Sequence, residues 1–352
     1  MIGAGAAGLA LAHSLRGSGL SVLVIESGPV SEPEAFDRGE VVGLPYNGLI
    51  SGRVRGLGGT TAVWPGQCMR LRPEDYDAWP FGEEDLAPWY DRAESLLGLV
   101  PGETARDPWE LFGEADLGLD RERIAYATSV FAPRRRMSRL DLGTAQIVTG
   151  ATVTHLGSGV AEARDLEGRS LEIRAERIVV CAGAIETARL LQVSGLESQA
   201  LGRFFQDHAT CRPARLVAGQ ARAVQDRFGA RFRGGRRYYA KLLLAPEAQR
   251  AQRVPGCLAN VVFDYPEDSP WEAALRLRRA LRSGQPGSLR DARSAAAGVR
   301  ELAAGALRRA QGREPAPPPT AVRILTIVEQ PPRAESRISL ADELDPLGVP
   351  RA

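Results

Sequence analysis

The first eight residues constrain the fold more than any other stretch of the chain. Gly3, Gly5 and Gly8 form a G-x-G-x-x-G turn, and residues 9–16 continue with the small and apolar side chains of a helix that packs on a sheet. The segment LSVLVIES follows, and its Val and Ile content indicates a buried parallel strand that ends at Glu26. Turn, helix, strand and terminal acid in this order predict a dinucleotide-binding unit.

Each of these residues has a physical role in such a unit. Gly3 permits the tight turn, Gly5 lets a pyrophosphate approach the backbone, and Gly8 lets helix and strand pack closely. The N-terminus of the helix offers free N–H groups and a partial positive charge to the phosphates. The carboxylate of Glu26 can accept hydrogen bonds from both ribose hydroxyls and would repel a 2′-phosphate. We therefore expect NAD or FAD here rather than NADP.

The composition is that of an ordinary globular protein, with 44% hydrophobic and 25% charged residues in a chain of 352. A formal net charge of +2 indicates neither nucleic acid nor an anionic membrane as a partner. No apolar run is long enough to span a bilayer, and no signal peptide precedes the glycine turn, so we expect a cytoplasmic protein. The cysteines lack CxxC spacing, which predicts reduced thiols and no metal site for Cys68, Cys181, Cys211 and Cys257.

A second glycine-rich segment, GLGGTT, spans residues 56–61. Its backbone and its threonine hydroxyls suit contact with the phosphates or the ring of a cofactor. Arg53 and Arg55 can add positive charge beside it. The segment extends the predicted cofactor site beyond the opening turn.

A third segment predicts a further part of the nucleotide pocket. Residues 178–181 read as an apolar strand that enters a glycine-containing turn at 182–184, with a helix over 186–192. The preceding stretch alternates like a strand around Val153 and could offer its backbone to an adenine. The opening turn does not separate NAD from FAD, but a strand feeding such a turn far along the chain favours FAD in an extended conformation.

Together these segments resemble the glucose–methanol–choline (GMC) oxidoreductases, a family of FAD-dependent flavoproteins. The resemblance rests on the opening turn, RGLGGTTAVWPGQCMRLRPEDYDAWPF, IVVCAGAIETARLLQVSGL, LGRFFQDH and SRISLADELDPLGVPRA, in that order. It implies an α/β fold with a Rossmann-like FAD-binding domain over 1–205, including a cap or loop insertion at about 100–140. A sheet-containing substrate domain would occupy 206–352 and be incomplete at its C-terminus. Relative to the family, we expect both ends of the chain to be truncated.

The resemblance also implies which residues hold FAD. At the ADP half these are Gly3, Gly5, Ala6, Ala7, Gly8 and Glu26. Along the pyrophosphate and the flavin they are Arg55, Gly58, Gly59 and Thr60. The backbone of Val153 would contact the adenine, and Ala182 and Gly183 would close the nucleotide pocket.

The loop after these threonines bears on how the flavin is attached. Trp64 would lie either near the isoalloxazine or in the loop as a hydrophobic anchor, and the residues leave both interpretations open. Some relatives carry a His before this Trp that bonds covalently to the flavin. This chain has Val63 there, so we expect FAD to be bound non-covalently.

The implied reaction is oxidation of a CH–OH group of an alcohol, polyol or sugar by hydride transfer to the flavin. In the family the base is a His beyond the SRISLADELDPLG segment, and we assign catalysis to none of His13, His155 and His208. The catalytic residues are therefore unknown. The alternatives are an FAD-binding fragment without complete catalytic machinery, one subunit of a split flavoenzyme, or a nicotinamide-dependent dehydrogenase. Oxygen, a quinone or a cytochrome could each accept the electrons.

The middle of the chain predicts strands and basic helices. Residues 239–244, 258–270 and 320–330 have strand character, whereas 270–284 and 289–312 read as two arginine-rich helices. We interpret the helices as a solvated hairpin. Docking on a membrane surface is the alternative.

Overall fold

The structure is a computed structural model that describes residues 1–31, 34–35, 39–46, 48–77, 79–113, 119–133, 136–216 and 218–352. The strands in the described residues are β1 Leu23–Glu26, β2 Glu34–Ala35, β3 Val54–Arg55, β4 Gln67–Cys68, β5 Ile124–Phe131, β6 Gln146–Thr149, β7 Thr152–Gly157, β8 Val160–Arg164, β9 Ser170–Arg174, β10 His208–Leu216, β11 Arg231–Arg233, β12 Arg236–Leu244, β13 Cys257–Asp264 and β14 Ala321–Glu329. The α-helices are α1 Ala6–Ser14, α2 Gly48–Ser51, α3 Glu83–Leu96, α4 Pro108–Phe112, α5 Gly183–Val193, α6 Ala221–Phe228, α7 Pro246–Gln252, α8 Pro270–Arg282, α9 Leu289–Ala297 and α10 Val299–Ala310. This mixture confirms the predicted α/β class.

In the nucleotide-binding half, the first strand of the chain pairs in parallel with a strand more than 100 residues later. β1 pairs with β6 in parallel register, from Leu23 opposite Gln146 to Glu26 opposite Thr149. Ile2 forms parallel bridges to Ile25 and to Val180. The strand predicted at 178–181 is reduced to the bridge between Ile2 and Val180.

Two hydrophobic clusters pack against the glycine turn at the start of the chain. One joins Ile2 and Ile25 to Val153 and Leu190, so it links the parallel strands to the β7–β9 sheet and to α5. The other lies under α1 and contains Ala4, Leu9, Ala12, Val24 and Met137. The predicted packing of the first helix on the sheet is confirmed.

A larger antiparallel sheet forms the other half. Its strand order is β10-β14-β13-β12-β5-β4, with β11 paired to β12. Two of these strands, β4 and β5, precede the predicted domain boundary at 205, so the boundary does not separate the strands of this sheet. One face packs on α6, where Val261 and Val322 meet Val224 and Phe228.

The second of the two predicted basic helices is broken in the structure. α9 ends at Ala297 and α10 begins at Val299, with Gly298 between them. A Cβ at Gly298 would lie 2.1 Å from the side chain of Pro270. The close approach of α8 therefore requires a glycine where the sequence pattern predicts a continuous helix. Within the described residues, no helix has the length and apolarity needed to cross a bilayer.

Candidate cofactor-binding site

The opening turn has the geometry that its glycines predict. Gly3 has a φ of 98°, and a Cβ there would lie 2.5 Å from the carbonyl oxygen of Cys181. A Cβ at Gly8 would lie 2.1 Å from the carbonyl oxygen of Gly3. The turn and the start of α1 therefore pack too closely for any side chain at either position.

In contrast, the space in front of Gly5 is open. A Cβ at Gly5 would meet no atom within 4 Å, so a ligand can approach the backbone there. Gly5 caps α1 without a side-chain hydrogen bond. The first residues of the helix, Ala6 and Ala7, line the cavity beside it. The N-terminal amides of α1 are therefore available to an anionic group.

Glu26 lies at the end of β1 with its carboxylate buried. Oε1 accepts hydrogen bonds from the amides of Gly28 and Gly56, each at 2.9 Å. Oε2 accepts one bond, from the amide of Ala4 at 2.8 Å, and so keeps acceptor capacity. The carboxylate thus joins the opening turn to the second glycine loop, a role that the sequence pattern alone did not reveal.

The second glycine loop lies directly over the first. Its Gly58 amide donates to the carbonyl of Ala4 at 2.9 Å, and a Cβ at Gly59 would lie 3.0 Å from the Cα of Gly5. Gly59 begins a 3₁₀ helix that ends at Ala62. Arg55 forms an ion pair with Glu34 at 2.7 Å, which compensates part of its charge.

These elements surround a cavity of about 910 Å³. The predicted site residues that line it are Gly3, Gly5, Ala6, Ala7, Glu26, Arg55, Gly59, Thr60, Val153, Ala182 and Gly183. Cys181 also lines the cavity, and burial raises the pKa of its thiol, so the thiol is neutral at ordinary pH. The structure therefore brings together residues from five separate stretches of the chain, 3–7, 26, 55–60, 153 and 181–183.

Three predicted residues lie elsewhere. Gly8 and Gly58 are buried inside the turns rather than at the cavity wall. Trp64 packs against a hydrophobic cluster that contains Val130 and Tyr238. This position fits the interpretation of Trp64 as a loop anchor.

A buried ionic network forms another wall that sequence reasoning missed. Arg189 of α5 donates to Asp345 Oδ2 at 2.8 Å and to the carbonyl of Pro350 at 2.6 Å. Glu186 bonds Arg189 at 3.2 Å and Arg53 at 3.0 Å. The network holds the segment 338–350 against the cavity, which Ile338 and Val349 line. The sequence signal for this network is Arg189 itself, a charged residue on the apolar side of the predicted helix.

The three histidines are not gathered at this cavity. Among the described residues that line it, none is a histidine. His13 Nδ1 lies 2.7 Å from the carbonyl oxygen of Asp141, and His208 is exposed beside Asp207 at the start of β10. His155 lies on β7 and is half-buried. Within the described part of the chain, no cluster of His, Cys, Asp and Glu is suited to a metal ion, and all four cysteines are free.

Comparison with known proteins finds two matching families for parts of the chain. Residues 1–31 match the NAD(P)-binding Rossmann-like domain, and residues 139–210 match the GMC oxidoreductase family. Over these segments the chain is similar to the GMC oxidoreductases.

Three curated relatives show how far the similarity extends. Paromamine 6'-oxidase of Streptomyces fradiae is 34% identical, over 29% of this chain and 23% of its own length. An uncharacterized GMC-type oxidoreductase of Sinorhizobium fredii is 27% identical, over 64% of this chain and 54% of its own length. C-glycoside 3-oxidase of Microbacterium trichothecenolyticum is 26% identical, over 47% and 37%. The matched region thus spans about half or less of each relative.

Proposed function

We propose that this protein is an FAD-dependent oxidoreductase that acts on a CH–OH group of an alcohol, polyol or sugar. The observation that carries the proposal is the pairing of an open Gly5 with the Glu26 carboxylate in one cavity. An anionic pyrophosphate and a ribose diol need these two features side by side. Bound FAD would supply the hydride acceptor for the substrate C–H bond.

The residues of this chain would each hold a different part of the cofactor. The amides of Ala6 and Ala7 would bind the pyrophosphate at the N-terminus of α1. The remaining acceptor capacity of Glu26 Oε2 would take a ribose hydroxyl. The backbone of Val153 would contact the adenine, and Gly59 and Thr60 would lie along the pyrophosphate and flavin. The similarity of residues 139–210 to the GMC oxidoreductases favours FAD over NAD at this site.

The names of two relatives support the substrate class. C-glycoside 3-oxidase is named for the oxidation of a glycoside, and paromamine 6'-oxidase is named as an oxidase of paromamine. We therefore propose a hydroxylated, sugar-like molecule as the first substrate class to test. The electron acceptor would be oxygen, a quinone or a cytochrome.

Glu26→Gln tests the cofactor site. The purified protein saturated with FAD should show flavin absorbance near about 450 nm. Loss of the negative charge should weaken FAD binding roughly 10- to 100-fold, because hydrogen bonds to charged groups contribute about 1.5–3 kcal/mol. Fluorescence titration with FAD measures the dissociation constant.

Two controls accompany this test. Glu172→Gln changes an exposed carboxylate on β9 and should leave FAD affinity unchanged. Thermal unfolding without FAD shows whether Glu26→Gln still folds, since Glu26 also binds three backbone amides. An unchanged FAD affinity in a folded Glu26→Gln protein, or tight NADH binding without flavin, would contradict the proposal.

A second candidate function is FAD binding without turnover, and the positions of the histidines favour it. Reduction of a dye by the FAD-loaded protein, with a panel of alcohols and sugars, distinguishes the two functions. Turnover would support the oxidoreductase. Turnover that is lost in His208→Ala would additionally make His208 the base.

A further inference from the structure

The exposed side of α8, α9 and α10 has an unusual composition. Within residues 278–310, which we call the basic helical surface, four large apolar side chains are exposed. Their exposed fractions are 78% for Leu281, 78% for Leu289, 63% for Val299 and 62% for Leu307. Between them the exposed positions of α9 and α10 hold mainly alanine and arginine.

Positive charge is concentrated on the same helices. Residues 270–312 contain nine arginines and three acidic residues, although the whole chain has a net charge of only +2. Within the described residues, six of these arginines form no ion pair: Arg278, Arg279, Arg282, Arg293, Arg300 and Arg309. The rest of the chain is therefore net acidic, and the charge asymmetry belongs to this surface.

The acidic residues of the segment do not compensate the exposed arginines. Asp291 is half-buried and bonds Arg276 at 2.7 Å. Glu301 is half-buried and accepts a bond from the amide of Trp271 at 3.3 Å. No exposed position between 278 and 310 carries a carboxylate. A solvated surface normally mixes both signs of charge, so the expectation of an ordinary solvated hairpin does not account for it.

The surface is held firmly on the body of the protein. Arg308 of α10 forms an ion pair with Asp226 of α6 at 2.7 Å. Arg309 stacks its guanidinium over the ring of Phe232, 3.8 Å from the ring centroid. α8 packs on both α9 and α10. The exposed leucines and arginines are therefore carried by helices that pack on each other and, through α10, on the body of the protein.

We propose that the basic helical surface docks this protein on a membrane surface that contains anionic lipids. Interfacial helices combine basic residues with apolar side chains that enter the headgroup region, as these three helices do. Arginine side chains can reach the phosphates while their methylene groups stay in apolar contact. An acidic protein partner would be recognised by the charges but would not need four separately exposed apolar side chains. This inference is independent of the proposed function.

Sedimentation with lipid vesicles tests the docking directly. The full chain should bind vesicles of equal parts phosphatidylglycerol and phosphatidylcholine, and should not bind vesicles of phosphatidylcholine alone. Polyglutamate serves as a second, lipid-free anionic probe. Binding to polyglutamate with none to anionic vesicles would overturn the proposal in favour of an acidic protein partner, and no binding to either would overturn it outright.

Paired variants separate the apolar and the charged contributions. Leu281→Ser with Leu307→Ser should weaken vesicle binding roughly tenfold or more, since a buried leucine contributes about 1.5–3 kcal/mol. Arg279→Gln with Arg282→Gln should weaken it roughly fivefold per arginine.

The matched controls lie on the β8–β9 hairpin. Leu166→Ser removes a leucine that is 59% exposed, and Arg174→Gln removes an exposed arginine. Both should bind vesicles like the unchanged protein, and circular dichroism checks that every variant folds. Leucine variants that bind anionic vesicles as well as the unchanged protein would overturn membrane docking.

Discussion

At the scale of single residues, Phe204 stands out because its backbone conformation is unfavourable for its side chain. Its φ is 59°, in the left-handed region that phenylalanine rarely adopts. The residue lines the cavity with its side chain half exposed. Such strain costs about 1–3 kcal/mol and tends to occur at functional sites.

Phe204→Asn should therefore stabilise the protein. Asparagine tolerates the left-handed region, and little packing is lost, so we expect the free energy of unfolding to rise by about 1 kcal/mol. Urea denaturation measures the change. Phe205→Asn is the matched control and should destabilise, because the ring of Phe205 packs edge-on against Tyr46 with 5.5 Å between centroids. A less stable Phe204→Asn protein would show that packing outweighs the backbone strain.

At the scale of elements, α5 holds the C-terminal segment through a buried ion pair between Arg189 and Asp345 and through hydrogen bonds to backbone carbonyls, such as that of Pro350. Arg189→Met should lower the free energy of unfolding by about 3 kcal/mol, because it removes the guanidinium that pairs with the buried carboxylate of Asp345. Guanidinium denaturation measures this loss. Arg174→Met removes an exposed arginine and should change stability by less than about 0.5 kcal/mol. An equally small effect of Arg189→Met would show that the segment is held by other contacts.

The buried Lys241 of β12 is the only lysine of the chain and gives the large sheet a pH dependence. Its ammonium group donates to Asn260 Oδ1, but burial lowers the pKa of Lys241 from 10.5 to about 8. Between these two values the unfolded chain binds more protons than the folded one. The contribution of Lys241 to stability is therefore least favourable below pH 8 and improves as the pH rises to 10.5.

Lys241→Met should remove this pH dependence. From pH 8 to pH 10 the free energy of unfolding should rise relative to that of Lys241→Met by about 2 kcal/mol. Denaturation curves of both proteins at several pH values measure the difference, and the titration of tyrosines and cysteines cancels in the comparison. Parallel pH profiles would contradict a depressed pKa for Lys241.

At the scale of the whole molecule, a further prediction concerns how a flavin would be attached. The resemblance to the GMC family implies that Val63 stands where covalent relatives carry the attaching His, and its side chain has no nucleophilic atom. We predict that acid precipitation of the FAD-loaded protein releases the flavin and leaves colourless polypeptide. Yellow colour or flavin fluorescence that remains with the washed precipitate would contradict non-covalent binding.

Local patterns were enough to predict the parts of the molecule that depend on neighbouring residues. The glycine turn, α1 and β1 follow from close packing and buried-strand composition within 26 residues. Strands such as β12 and β14 follow from the apolar side chains that a sheet must bury. Eleven of the residues assigned to the FAD site line one cavity, because the glycines and the acid that define such a site are themselves local signals.

The tertiary structure decided which distant parts meet. The pattern of α5 shows a buried side but not that Arg189 pairs with Asp345, 156 positions away. Composition shows that α8–α10 are basic, but only packing shows that Asp291 and Glu301 are half-buried while Leu281, Leu289 and Leu307 are exposed. The sequence does not distinguish a Trp64 near the flavin from a Trp64 that anchors its loop, whereas in the structure Trp64 packs against a hydrophobic cluster. The periodicity of apolar residues indicates which face of a helix or strand is buried. Which other element covers that face depends on contacts between residues far apart in the chain.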